Sequence, residues 1–135
     1  MQRPHAMRVP MPNFPCEFEI PDEWWVESGM ANFTAQGCAY RTADKAQLVP
    51  LCDIEPVYSK QMKSRDWRGF DCERMIRIFN SFASGAELKP VPLLALAYSD
   101  LPSSTTYSYR ALDGFHRFYA SIAAGFESLP ASVIR

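Results

Sequence analysis

Ala111-Leu112-Asp113-Gly114-Phe115-His116-Arg117-Phe118-Tyr119-Ala120 decides the fold, because it joins a strand pattern to a helix pattern through a turn rich in charge. Upstream, over Thr105 to Leu112, Tyr107 and Tyr109 alternate with Thr106, Ser108 and Arg110, the period of two expected of a strand with one buried face. Downstream, Phe118 with Ile122 and Tyr119 with Ala123 form (i, i+4) apolar pairs, the spacing of a short helix with an apolar face. Asp113 is placed to cap that helix, and Gly114 permits a tight turn and leaves room for a ligand.

A helix beginning here aims its unpaired N–H groups outward, and His116 and Arg117 stand in its first turn. Cations favour the last turn of a helix, so two in the first turn require a compensating negative group. A bound phosphate or carboxylate supplies one. The internal alternative is that Arg117 pairs with Asp113 or a neighbouring carboxylate while His116 packs against the sheet.

Working outward, Asp71 caps a second helix whose apolar face is Met75, Ile76, Phe79, Phe82 and Ala83, with Gly85 as its stop. Leu88 to Ala97 is a mostly apolar run expected to be a strand covered on both faces, and Asp100 to Ser104 turns it back toward the Tyr107 strand. Leu48 to Cys52, interrupted by Pro50, reads as an edge strand or the start of a strand. From residue 48 the order is strand, loop, helix, strand, strand, helix, strand. Before it, residues 1–15 carry four prolines and suggest an extended or partly disordered arm. Pro15 to Ile20 suits an edge strand, and Ile20 to Met30 a short helix that starts at Pro21 or Asp22 and is stopped by Gly29. Residues 31–47 look like a loop. Trp24 and Trp25 on the short helix are expected to pack on the core or to meet a partner.

The ordered set Leu112-Asp113-Gly114-Phe115-His116-Arg117-Phe118-Tyr119-Ala120, then Ala124-Gly125-Phe126, Leu129-Pro130 and Val133-Ile134, resembles the signature of the ParB/sulfiredoxin superfamily. The resemblance reaches back less strongly to Leu48 and includes Arg68-Gly69-Phe70-Asp71. It implies an α+β (α/β mixed) ParB/sulfiredoxin-like compact domain over 48–135, a small mixed sheet flanked by helices. Residues 1–47 would form an N-terminal extension packed on that core. It also implies that the turn holds nucleotide phosphates, with ATP, ADP or CTP and Mg²⁺ as the expected ligands.

Two departures narrow the activity. Sulfiredoxins place their working cysteine directly before His-Arg, where this chain has Phe115, so that thiol chemistry is not expected. Partition proteins of the ParB type use a double arginine and continue into a helix-turn-helix domain, which has no counterpart expected after Arg135. A stand-alone phosphate-binding domain remains. Gly114, Phe115, His116 and Arg117 would hold phosphate, joined by Arg68, with Asp113 and His116 as the candidate catalytic pair. The activity would be phosphotransfer or nucleotide hydrolysis. The alternatives are a non-catalytic binding module of a plasmid, phage or defence system, acting as a homodimer or through a protein partner at Trp24-Trp25, and a ParB-like nuclease.

Composition fits one soluble cytoplasmic domain. The chain has 135 residues, 47% of them hydrophobic and 21% charged, and no apolar run of membrane-spanning length. A net charge of −1 argues against a protein that coats nucleic acid, although Lys60, Lys63, Arg65, Arg68, Arg74 and Arg77 outnumber Asp66, Asp71 and Glu73 locally and suit an anionic ligand. Cys16, Cys38, Cys52 and Cys72 form no Cys-x-x-Cys pair; no metal site is expected, and buried free thiols are.

Overall fold

The apolar pairs after Arg117 fold into a helix over Phe115–Ala124, in a computed structural model that describes residues 6–10, 17–55, 70–96 and 107–134. In chain order the elements are β1 (Ala6–Pro10), β2 (Glu17–Pro21), α1 (Asp22–Glu27), β3 (Gln47–Pro50), a 3₁₀ turn at Leu51–Asp53, and β4 (Ile54–Glu55). They continue with α2 (Cys72–Ser84), β5 (Val91–Ala95), β6 (Tyr109–Ala111), α3 (Phe115–Ala124) and β7 (Ser128–Ile134). The class is mixed α+β, and the order from residue 48 is the predicted one except that Ile54–Glu55, expected as a turn, forms the short strand β4 beside β6.

A five-stranded sheet runs in the order β3-β7-β5-β6-β4. The β3/β7 and β5/β6 pairs are antiparallel, whereas β5/β7 and β4/β6 are parallel. β3 lies at one edge, where Pro50 has no ladder partner to disappoint on its open side. On central β5, Val91, Leu93 and Ala95 are buried while Pro92 and Leu94 are half-buried. The run expected to be covered on both faces is thus packed closely on one, the face that meets α3. Helix α3 lies against β5 and β7, α2 against α3, and α1 against α2.

Asp71 caps α2 as predicted, its carboxylate accepting from the Arg74 N–H at 3.1 Å, and Gly85 closes the helix in the left-handed region at φ +73°. The buried stripe of α2 is Met75, Ile78, Phe79 and Phe82. Ile76 is half-buried and Ala83 exposed, because the helical period from Met75 runs through 78, 79 and 82.

The N-terminal arm needs a larger correction: residues 6–10 are β1, paired antiparallel with β2. Alternation explains it once the partner is known. Val9, Phe18 and Ile20 point into the core, while Arg8 and Glu19 face each other outside at 3.9 Å. Phe18 meets Tyr119 edge-on at 5.0 Å and Phe70 at 5.8 Å, so the hairpin seals the outer side of α3. Trp24 and Trp25 pack against the same cluster, Trp25 edge-on to Phe79 at 5.2 Å. One apolar cluster includes residues from β1 to β7.

The cysteines depart from expectation as well. Cys38, Cys52 and Cys72 are free but exposed, since Tyr40, Leu51 and Met75 take the inward positions beside them. Cys16, the predicted turn at Asp100 to Ser104, and Lys60, Lys63, Arg65, Asp66 and Arg68 lie outside the described residues. No helix among the described residues is long and apolar enough to cross a membrane.

Candidate functional site

Phe118, Tyr119 and Ala120 are fully buried and anchor α3, which fixes the turn before it at the open end of the helix layer. Gly114 is the N-cap of α3, at φ +72°, and no side chain caps the helix. The expected Asp113 cap is not formed: its Oδ1 accepts from the adjacent Gly114 N–H at 2.7 Å, and the left-handed glycine carries the carboxylate away from the later N–H groups. Asp113 itself is exposed.

The two basic residues of the turn have different structural duties. His116 is buried, and its Nε2 accepts from the Asp71 backbone N–H at 2.8 Å. That bond needs an unprotonated Nε2, and burial, with the Arg74 charge second, lowers the His116 pKa from 6.5 against a smaller opposing pull from Asp71. His116 is therefore neutral at physiological pH and joins the start of α2 to the start of α3. Its ring lies 4.3 Å from that of Phe115 and 5.8 Å from that of Phe70, centroid to centroid.

Arg117 folds back across Gly114, and its Nη1 donates to the carbonyl oxygens of Lys89 at 2.7 Å and Pro90 at 3.2 Å. A Cβ on residue 114 would stand 2.6 Å from Arg117 Nη2, so the glycine is required for this path as well as for its positive φ. Tyr40 donates its hydroxyl to the same Lys89 oxygen at 2.5 Å. Burial pushes the Tyr40 pKa up to about 12, with Arg117 pulling the other way, so the phenol stays protonated. Both Arg117 acceptors are neutral, which ties the guanidinium down without cancelling its charge.

That charge joins others. An open cleft of about 410 Å³ is lined by Arg74 and Arg77 from α2, Lys89 before β5, and Asp113, Phe115 and Arg117 from the turn. Among the described residues that line it, four are cationic and one is a carboxylate, a balance that attracts anions. The structure brings Asp113, Gly114, Phe115, His116 and Arg117 together at this cleft. Arg68 falls outside the described residues. In the sequence Arg74 and Arg77 stand out only as part of a basic stretch, and Lys89 carries no local signal. The (i, i+3) spacing of Arg74 and Arg77 on a capped helix was the available signal.

Cys72 occupies the first helical position of α2, where a helix start alone would favour thiolate. Its pKa is raised instead, by partial desolvation first and then by Glu27, Glu23, Asp71 and Glu73. Among the described residues no three His, Cys, Asp or Glu side chains gather as a metal cluster.

No family model matches the chain, and no curated protein sequence matches it. Among solved structures, the chain is similar to the crystal structure of sulfiredoxin from Arabidopsis thaliana, at 15% identity and a TM-score of 0.46, over 68% of this chain and 86% of that one. At that superposition the two chains share a partial outline, and neither family nor activity passes from one to the other.

Proposed function

We propose that this chain binds a small phosphorylated ligand of the nucleotide class in the cleft between α2 and the 113–117 turn. The supporting observation is the convergence of Arg74, Arg77, Lys89 and Arg117 on one open cleft, against Asp113 as the one carboxylate among the described lining residues. The resemblance of the Asp113 to Arg117 block to phosphate-holding turns supports the same reading. Arg74, Arg77 and Lys89 are exposed side chains that can close on phosphate oxygens, and Arg117 adds charge from a fixed position. Arg68 remains a candidate contributor. With ATP, ADP or CTP, Mg²⁺ would enter bound to the phosphates, and a single carboxylate such as Asp113 suits an ion that keeps most of its water.

A second reading, phosphoryl transfer or hydrolysis, rests on Asp113 as the carboxylate lining the cleft, in reach of an acceptor hydroxyl or water bound there. His116 Nε2 is engaged by Asp71, so any proton traffic through His116 would use its other nitrogen.

The test is a thermal-unfolding screen with millimolar ATP, ADP and CTP, with and without Mg²⁺, on the wild type and on Arg74→Ala/Arg77→Ala. A ligand confined to the folded state raises Tm, and the shift should shrink in the variant. No shift with any of the three nucleotides would sink the proposal. Release of inorganic phosphate from wild type but not from Asp113→Asn would establish the second reading.

A further inference from the structure

Phe115 lines the cationic cleft next to His116, and it is only half-buried although it sits beside a closely packed core. Its ring is held from behind. His116 stands 4.3 Å away and is itself fixed by the 2.8 Å bond from Asp71, with the Phe70 ring 5.8 Å beyond it. Tyr119, fully buried, meets Phe115 edge-on at 6.4 Å. Neighbours this close restrict the rotamers of the ring, which lowers the entropic cost of a further contact with its exposed part. Leu88 and Ile78 add apolar surface to the cleft that carries the four cations. One cleft therefore offers both a charged wall and a flat wall.

From this we infer that Phe115 is the stacking platform for a planar nucleobase, and that the ligand is recognised by its base as well as its phosphates. The inference rests on the phosphate reading of the same cleft and adds to it a requirement that inorganic polyphosphate does not meet. Stacking on an aromatic face tolerates any base, so purine and pyrimidine nucleotides should bind within a few-fold of each other. The position before His116 then has a binding role in place of a reactive one.

The experiment compares ATP, CTP and inorganic tripolyphosphate by titration calorimetry against wild type, Phe115→Trp, Phe115→Leu and Arg74→Ala/Arg77→Ala. Phe115→Leu keeps apolar bulk without a π face, and its unfolding curve separates core packing from stacking. The expected result is that ATP and CTP bind the wild type roughly five- to hundred-fold more tightly than tripolyphosphate. Phe115→Trp should keep that preference, and Phe115→Leu should lose it while its tripolyphosphate affinity stays unchanged. Equal affinity for tripolyphosphate and nucleotides, with Arg74→Ala/Arg77→Ala weakening both, would overturn the stacking role and leave the phosphate reading standing. No binding of any of the three to wild type would remove both.

Discussion

The starts of α2 and α3 lie side by side, yet they are finished in opposite ways. At α2 the Asp71 carboxylate receives the Arg74 N–H, and the Asp71 N–H is itself received by His116. At α3 no side chain caps the helix, and Asp113 turns back on Gly114. One start is closed by the protein's own groups, and the other is left to whatever enters the cleft. The two basic side chains that draw the eye in the turn spend their hydrogen bonds on folding, neutral His116 on α2 and cationic Arg117 on the carbonyls before β5. The more adaptable cations are Arg74, Arg77 and Lys89.

The contrast breaks most visibly at Arg117. Arg117→Ala removes two charge-assisted bonds and should cost roughly 1.5–3 kcal/mol in chemical denaturation. Gly114→Ala forces a side chain into the left-handed region, about 1–2 kcal/mol, and pushes the guanidinium off its acceptors. Because both changes lose the same bonds, the double variant should fall short of additivity by about 1 kcal/mol or more. Strict additivity would show that Gly114 is not there to let Arg117 pass.

Next in size is His116. Its folded-state pKa lies below the unfolded value of 6.5, so the folded chain binds that proton less readily. The stability it contributes is therefore complete above about 6.5 and is lost as pH falls from there through the folded pKa. His116→Gln retains an acceptor for the Asp71 N–H but does not titrate, so its thermal stability should vary less than that of the wild type between neutral and mildly acidic pH. A wild-type profile as flat as the variant's would contradict the neutral-acceptor role.

Asp71→Ala should cost about 1 kcal/mol through the lost cap, whereas Asp113→Ala should be close to neutral, a direct comparison of the two helix starts by denaturant midpoint. Smallest is Arg77→Ala. An exposed cleft cation with no folding duty should change stability by less than about 0.5 kcal/mol while weakening nucleotide binding.

What the sequence made legible follows from the range of the interactions. α2 was readable because its cap, its apolar spacing and its stop all lie within the helix, and only the phase of the stripe slipped, from Ile78 to Ile76. β1 was not, since Pro10 hides a strand whose alternation shows only against Phe18 and Ile20 across the ladder. In the site, the residues 113–117 were readable but their partners were not. Arg117 reaches back 28 and 27 positions to Lys89 and Pro90, and His116 reaches 45 to Asp71. Local charge logic expected an anion to balance those cations, and neutral backbone groups took the hydrogen bonds.

The place of β7 has a consequence for how the chain is made. Among the described strands β7 follows all the others in sequence yet lies between β3 and β5, so neither finds that partner until residues 128–134 have left the ribosome. The sheet is thus joined up only once residues 128–134 are made, with long-range pairing that slows folding and until then leaves two strand edges available to neighbouring nascent chains. Translation that stalls before Ser128 would release an aggregation-prone product in place of a smaller folded unit.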